Sequence, residues 1–161
     1  MPIYKEHIQS KLPKVDTNIF TIMSQLSNEY NAINLSQGFP DFDVDKLLIH
    51  TVQKYFEKGY HQYAPMHGVL KLREQISRKV EKLYSIYYHE DDEINITSGA
   101  TQAIYTAISA VVKEDDEVIL FTPAFDCYQP AVELNGGRPI FVQLKAPEFT
   151  INWEEVKKII Q

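Results

Sequence analysis

From residue 93 onwards the chain alternates short apolar runs with segments of helical character. The order is strand, helix, strand, helix, strand, over residues 93–97, 102–112, 117–122, 127–134 and 139–144. The run "VILF" is apolar at successive positions, as expected for a parallel strand covered on both faces, and the spacers are long enough for crossover helices. The pattern predicts an α/β fold, mostly a parallel sheet with helices on both faces.

Three helices are predicted before this region. They cover about residues 16–29, 44–58 and 69–84. Asp16 or Thr17 suits the N-cap of the first helix, and Gly59 suits a left-handed C-terminal cap of the second. In the third helix, the apolar residues repeat at intervals of three and four positions, as on one helix face. Loops join these three helices, and all three precede the predicted sheet in the sequence.

Composition and charge narrow the class of protein. With 161 residues, 44% hydrophobic and 24% charged, the chain has the composition of a soluble globular domain, and no apolar run approaches the roughly 18 residues of a membrane span. The N-terminus lacks the features of a secretory signal, so we expect a cytoplasmic protein. A net charge of −6 argues against nucleic-acid binding. The acidic clusters at 89–93 and 113–117 are interpreted as solvated turns, and no metal site is expected.

A turn of small residues, Ser98 to Thr101, separates the first predicted strand from its helix. The helix carries an apolar stripe that we expect to be buried, formed by Ala103, Ile104, Ala107, Ile108, Val111 and Val112. The first amides of a helix lack intrahelical partners and lie at the positive end of its dipole, so an anion fits there. The hydroxyls of Ser98 and Thr101 can add hydrogen bonds. The alternative is an ordinary helix start with Ser98 as cap.

The expected anion is a single phosphate monoester. Neither G-x-x-x-x-G-K-[ST] nor G-x-G-x-x-G occurs in the sequence, which argues against a nucleoside triphosphate or a dinucleotide. The next strand ends at Pro123, and Phe125 and Tyr128 follow it at the adjacent strand end. Aromatic rings beside a phosphate site indicate a flat ligand ring, although a phenylalanine such as Phe125, taken alone, is more often a core residue than a cofactor platform.

Four sequence blocks together resemble a known family. They are "INLSQGFPDFD", "QYAPMHGVLKLREQI", "ITSGATQAIYTAI" and "FTPAFDCYQPAVELNGGRPIFV". Their order and spacing resemble the fold-type I, pyridoxal-phosphate (PLP)-dependent aminotransferases of class I/II, from about residue 19 onwards. The amino-acid sequences of the first and last blocks are most similar to those of the branch that contains methionine aminotransferase and the kynurenine/glutamine transaminases.

The resemblance implies roles for residues around the cofactor. The amides of Gly99, Ala100 and Thr101 would hold the PLP phosphate, and Phe125 would stack on the pyridine ring. Tyr63 would reach the phosphate of the neighbouring subunit in a homodimer, although it could instead be a packed loop aromatic. The resemblance thus implies a PLP site at the turn after residue 97.

It also implies roles on the substrate side. Gly38 would lie beside the substrate carboxylate, and Phe39 would border the substrate side chain; without the resemblance, Gly38 and Pro40 need be no more than loop punctuation. The implied domains are an N-terminal segment, 1–45, with the substrate-side loop, and an incomplete PLP-binding large domain, 46–161. The implied activity moves an α-amino group from a methionine-, glutamine- or aromatic-like amino acid to a 2-oxo acid.

The sequence departs from the family pattern in one respect. The lysine that bonds to PLP in this family lies well downstream and has no counterpart among these residues, so no catalytic residue is assigned to this chain and we expect the chain alone to be inactive. The last helix is predicted to have Asn152 as its N-cap, with Glu155 three positions later. Two hypotheses stay open: the N-terminal fragment of an aminotransferase, or a non-catalytic phosphate-binding remnant or half of a split enzyme.

Overall fold

The computed structural model of the chain describes residues 9–12, 17–38 and 40–160. They form two compact units: one is Ile19–Thr97, and the other runs from Ser98 onwards and includes the described residues before Ile19. The first unit holds α1 (Ile19–Glu29), α2 (Lys46–Glu57) and α3 (Leu70–Tyr84). The second holds α4 (Ala100–Val111), β1 (Glu117–Thr122), α5 (Tyr128–Leu134), β2 (Arg138–Gln143) and α6 (Trp153–Ile159). The domain boundary expected after residue 45 stays a prediction.

Helix α2 confirms the predicted capping residue at its C-terminus. Gly59 has a φ of 83°. Its N–H donates to the Phe56 carbonyl at 3.0 Å, and the Tyr60 N–H donates to the Tyr55 carbonyl at 3.2 Å, which together make a Schellman motif. The helix begins at Asp45, whose carboxylate accepts from the Leu47 N–H at 2.7 Å.

Helix α1 begins three residues later than predicted. Asp16, the first candidate cap, lies outside the described residues, and Thr17 and Asn18 precede the helix. Asp, Thr and Asn all favour the non-helical cap position, so three such residues in succession do not show which of them precedes the first residue of the helix. The helix begins after the last of them.

Helix α3 is tied to the segment that follows it. Arg73 is buried; its Nε donates to the Gly68 carbonyl at 3.2 Å, and its guanidinium also donates to the Glu90 carbonyl. Ser77 is buried too, and its hydroxyl donates to the Tyr88 carbonyl at 2.6 Å. These bonds satisfy polar groups that would otherwise be buried without partners. They fix the return of the chain after α3.

Residues 93–97 are not a strand, contrary to the prediction. The segment has no regular secondary structure, and its Ile96 N–H donates to the His67 carbonyl at 3.1 Å. An apolar, extended segment becomes a strand only when a neighbouring strand completes the hydrogen-bond ladder. In the described part of the chain, β1 and β2 pair with each other and not with this segment.

The two strands form a parallel pair, as predicted. Glu117 is in register with Arg138, and Thr122 with Gln143. Helix α5 is the crossover between them and packs against both, with Ala131 and Val132 buried. A Cβ at Gly137 would lie 2.7 Å from Cγ1 of Val112 and 2.9 Å from Cγ1 of Val132. The close packing of the backbone at Gly137 against these two side chains therefore requires glycine.

The burial of the sheet and of α4 is less complete than predicted. Leu120 is buried, but Val118, Ile119 and Phe121 are only half-buried. The prediction that the apolar stripe of α4 is buried is wrong. Ile104, Ile108 and Val112 are half-buried, whereas Ala103, Ala107 and Val111 are exposed. Periodicity shows which face is apolar, but burial requires a covering element, and α4 packs chiefly against α5 among the described elements.

Helix α6 begins as predicted. The Asn152 side chain accepts from the Glu155 N–H at 3.4 Å, and Val156 is buried. Its first residue, Trp153, packs edge-on against Phe121 of β1, with ring centroids 6.3 Å apart. Among the described residues, no helix is both long and apolar enough to cross a bilayer.

Candidate phosphate-binding and substrate-side residues

The turn before α4 places a glycine at the cap position of the helix. Gly99 has φ 87° and ψ 167°, a conformation that residues with a side chain rarely adopt. The cap has no side-chain hydrogen bond, so the alternative in which Ser98 caps the helix is wrong. The first bond of the helix runs from the Ala103 N–H to the Gly99 carbonyl at 3.3 Å. The amides of Ala100 and Thr101 precede it and lack intrahelical partners.

The space around this helix start suits a phosphate group. A Cβ built on Gly99 would meet no atom within 4 Å, so a ligand can approach the backbone there. The groups at the turn are amides and the hydroxyls of Ser98 and Thr101, which can donate hydrogen bonds to phosphate oxygens. They lie at the positive end of a 12-residue helix. The residues present therefore fit a phosphate monoester.

Gln102 contributes a contact that the sequence reading missed. Its side-chain oxygen accepts from the Ser98 N–H at 2.6 Å, which joins the first turn of α4 to the residue before the cap. This bond occupies the Ser98 amide. A glutamine three positions after a helix cap is the spacing of a capping box, which was the available signal.

Phe125 lies in the loop between β1 and α5, in the same unit as Gly99. Its side chain is 44% exposed, so within the described chain it is not a core residue. Its ring meets that of Tyr128 edge to face, with centroids 6.0 Å apart and planes at 74°. The Tyr128 N–H donates to the Phe125 carbonyl at 3.2 Å, which holds the loop against the start of α5. The Phe125 ring is thus only partly covered by the described residues.

A groove of about 500 Å³ runs between α4 and α5. It is lined by Ser98, Thr101, Gln102, Tyr105, Cys127, Pro130, Ala131 and Leu134. Burial, reinforced by the neighbouring carboxylate of Asp126, raises the pKa of the Cys127 thiol. This thiol is therefore protonated at neutral pH and is a poor nucleophile.

Gly38, predicted for the substrate side, and Tyr63, predicted for the cofactor phosphate of a second subunit, lie in the unit Ile19–Thr97. Gly38 is exposed, and a Cβ on it would meet no atom within 4 Å. Tyr63 is fully exposed in the loop between α2 and α3. Phe39 lies outside the described residues. Gly99, Ala100, Thr101 and Phe125 all belong to the other unit.

Comparison with known proteins identifies the family. The family model for aminotransferases of class I and II matches residues 30–161. The chain therefore belongs to the class I and II aminotransferases, which generally use PLP.

Individual relatives include several different transaminases. The chain is 47% identical over 152 residues to the methionine aminotransferase of Escherichia coli K12, covering 94% of this chain and 39% of that protein. It is 35% identical over 137 residues to the mouse kynurenine–oxoglutarate transaminase 1, covering 84% of this chain and 32% of that protein. The chain thus spans about two fifths or less of the length of these curated relatives.

Solved structures share the fold. The crystal structure of Escherichia coli YbdL, described as having a methionine aminotransferase function, matches with a TM-score of 0.91 and 46% identity over 96% of this chain and 40% of that one. The N-succinyldiaminopimelate aminotransferase of Mycobacterium tuberculosis matches with a TM-score of 0.87 and 30% identity, over 96% and 41% of the two chains. The described helices and parallel strand pair are part of the α/β fold of PLP-dependent aminotransferases.

Proposed function

We propose that this chain supplies the phosphate-binding turn and the substrate-side loop of a PLP-dependent aminotransferase. The reaction is the reversible transfer of an α-amino group from an amino acid to a 2-oxo acid. The observation that carries the proposal is the start of α4, where a glycine cap and small residues leave amides and open space for a phosphate, within a chain of this family. We also propose that the protein is located in the cytoplasm.

Each residue of the phosphate site has a binding role in this proposal. The amides of Gly99, Ala100 and Thr101 donate hydrogen bonds to the phosphate oxygens, and the dipole of α4 stabilises the negative charge. The partly exposed ring of Phe125 packs on the pyridine ring and orients it. Bound PLP supplies an electron sink for the charge that develops at the α-carbon of the amino acid. The residue that bonds to the cofactor is expected outside these 161 residues.

On the substrate side, the Gly38 backbone lies against the substrate carboxylate, and Phe39 borders the substrate side chain. Tyr63 extends from the surface to the phosphate site of a second copy, so the proposed enzyme is a homodimer. Donor amino acids of the methionine, glutamine or aromatic type suit this proposal, since relatives include a methionine aminotransferase and a kynurenine transaminase. An apolar pocket separates such side chains by only about 1 to 3 kcal/mol per methylene.

The test compares two ligands that differ only in the phosphate group. The protein, expressed from the complete reading frame that encodes these residues, is titrated with PLP and with pyridoxal, and binding is followed by near-ultraviolet and visible absorbance. We expect PLP to bind much more tightly than pyridoxal, and inorganic phosphate to compete with PLP. Equal affinity for the two ligands would contradict the proposed phosphate site.

A further inference from the structure

The loop before Gly38 has an inverted burial pattern. The apolar residues Ile33 and Leu35 are 87% and 90% exposed, whereas Asn34 and Ser36, which alternate with them, are half-buried. Polar side chains that leave water need hydrogen-bond partners, because losing them carries a free-energy penalty. The conformation of this loop is therefore set by its polar residues.

Asn34 is the centre of the resulting hydrogen-bond network. Its Oδ1 accepts from the Ser36 N–H at 3.0 Å and from the Ser36 hydroxyl at 2.6 Å. Its Nδ2 donates to the Ser24 hydroxyl oxygen on α1 at 3.3 Å. The Ser24 hydroxyl in turn donates to the Gln37 side-chain oxygen at 3.4 Å. Helix α1 is thus joined to both ends of the segment 34–37.

Gly38 follows this segment directly. Because glycine has no Cβ and no atom lies within 4 Å of the position a Cβ would occupy, side-chain packing does not orient it. The direction of the Gly38 backbone is set instead by the preceding residues, which the hydrogen-bond network attaches to α1. Restricting the backbone before binding reduces the entropy lost when a ligand is held.

We propose that Asn34 is a positioning residue that, through Ser36 and Ser24, holds the Gly38 backbone in the orientation that binds the substrate carboxylate. This inference rests on the proposed function and adds a residue that does not itself touch the substrate. Asparagine suits the role because its amide both accepts and donates. Aspartate keeps the acceptor for Ser36 but cannot donate to Ser24, and Ser24→Ala removes the partner on α1 outright, so the two contacts can be separated.

The experiment measures carboxylate binding in four variants. Asn34→Ala removes the bonds to Ser36 and to Ser24 but leaves the bond between Ser24 and Gln37. Asn34→Asp removes the amide donor to Ser24, and Ser24→Ala removes both bonds to α1. Asn28→Ala, an exposed asparagine on α1, is the matched control. The protein from the complete reading frame, loaded with PLP, is assayed for kcat and KM with methionine. It is also assayed for inhibition by 4-(methylthio)butanoate, which is methionine without the α-amino group and so carries the carboxylate alone.

We expect Asn34→Ala to raise KM and the inhibition constant together, by about threefold to tenfold, with kcat little changed. This is the kinetic effect of losing an interaction that is equally strong in the bound substrate and in the transition state. Asn34→Asp and Ser24→Ala should show a smaller rise, and Asn28→Ala none. Hydrogen exchange at the Ser36 amide should be faster in Asn34→Ala, since its acceptor is lost.

Each other outcome counts against one part of the argument. If the wild type binds the analogue and Asn34→Ala retains its KM and inhibition constant, the inference about Asn34 is overturned while the proposed function stands. The inference is also overturned if Asn34→Ala lowers only the folded fraction, so that kcat falls and KM does not rise. A wild type that does not bind the analogue and uses none of methionine, glutamine and phenylalanine would overturn the proposed function itself.

Discussion

Replacing Gly99 with alanine tests both the conformation of the turn and its proposed role. Gly99 has φ 87° and ψ 167°, and a methyl group there would meet no atom within 4 Å. The substitution therefore introduces backbone strain without a steric clash. Strain in this region amounts to about 1 to 3 kcal/mol, so the free energy of unfolding should fall by that amount unless the turn rearranges.

Rearrangement of the turn would move the amides of Ala100 and Thr101 away from a bound phosphate. A hydrogen bond to a charged group contributes about 1.5 to 3 kcal/mol, so misplacing one amide should weaken PLP binding roughly 10-fold to 100-fold. Pyridoxal lacks the phosphate, and its affinity should change little. The ratio of the two dissociation constants isolates the effect on the phosphate.

Gly59→Ala is the matched control. Gly59 has a φ of 83°, and a Cβ there would also meet no atom within 4 Å, but it ends α2. Both variants are examined by urea unfolding and by absorbance titration with PLP and pyridoxal. We expect both to be destabilised and only Gly99→Ala to lose the preference for PLP. The reasoning is refuted if the two variants bind PLP equally well, or if Gly99→Ala weakens pyridoxal binding as much as PLP binding.

Three further predictions concern other residues. Phe125→Leu should weaken PLP and pyridoxal binding by the same factor, worth about 0.5 to 1.5 kcal/mol. Phe141→Leu, an exposed phenylalanine on β2, should leave both affinities unchanged, and a selective loss of PLP binding in Phe125→Leu would contradict stacking. Ser77→Ala leaves the Tyr88 carbonyl without its donor and should lower the free energy of unfolding by about 1 to 3 kcal/mol in urea. An unchanged urea midpoint would count against that bond. Because burial raises the pKa of Cys127, less thiolate is present at a given pH, so iodoacetamide should alkylate it more slowly than free cysteine at about pH 8. An equal rate would show that the thiol is not shielded.

The sequence predicted elements whose signals are local. The spacing of apolar residues located α3, the alternation of apolar runs and spacers located β1 and β2, and Gly59 marked the end of α2. The resemblance of four blocks predicted the family that the comparison confirms. Each of these signals depends on residues close together in the chain or on a recognised motif.

The features that the sequence could not predict depend on tertiary partners. Residues 93–97 have the apolar pattern of a strand, but their backbone bonds to His67 rather than to a strand. The apolar stripe of α4 is clear in the sequence, but its burial depends on what packs against it. At the site, the contact of Gln102 with Ser98 and the network around Asn34 required the geometry of the turns. The proposed roles of Gly38, Tyr63 and Phe125 stay predictions.

The most direct test of the proposed function is a nitrogen-transfer assay. The protein from the complete reading frame is incubated with PLP, a 2-oxo acid and, in separate reactions, α-nitrogen-15-labelled methionine, glutamine or phenylalanine, and the amino-acid products are examined by mass spectrometry. We expect the label to appear in the amino acid formed from the 2-oxo acid with at least one donor, and omission of PLP to abolish the transfer. Tight PLP binding without transfer from any of these donors to any of several 2-oxo acids would contradict an aminotransferase and indicate a phosphate-binding protein without catalytic activity.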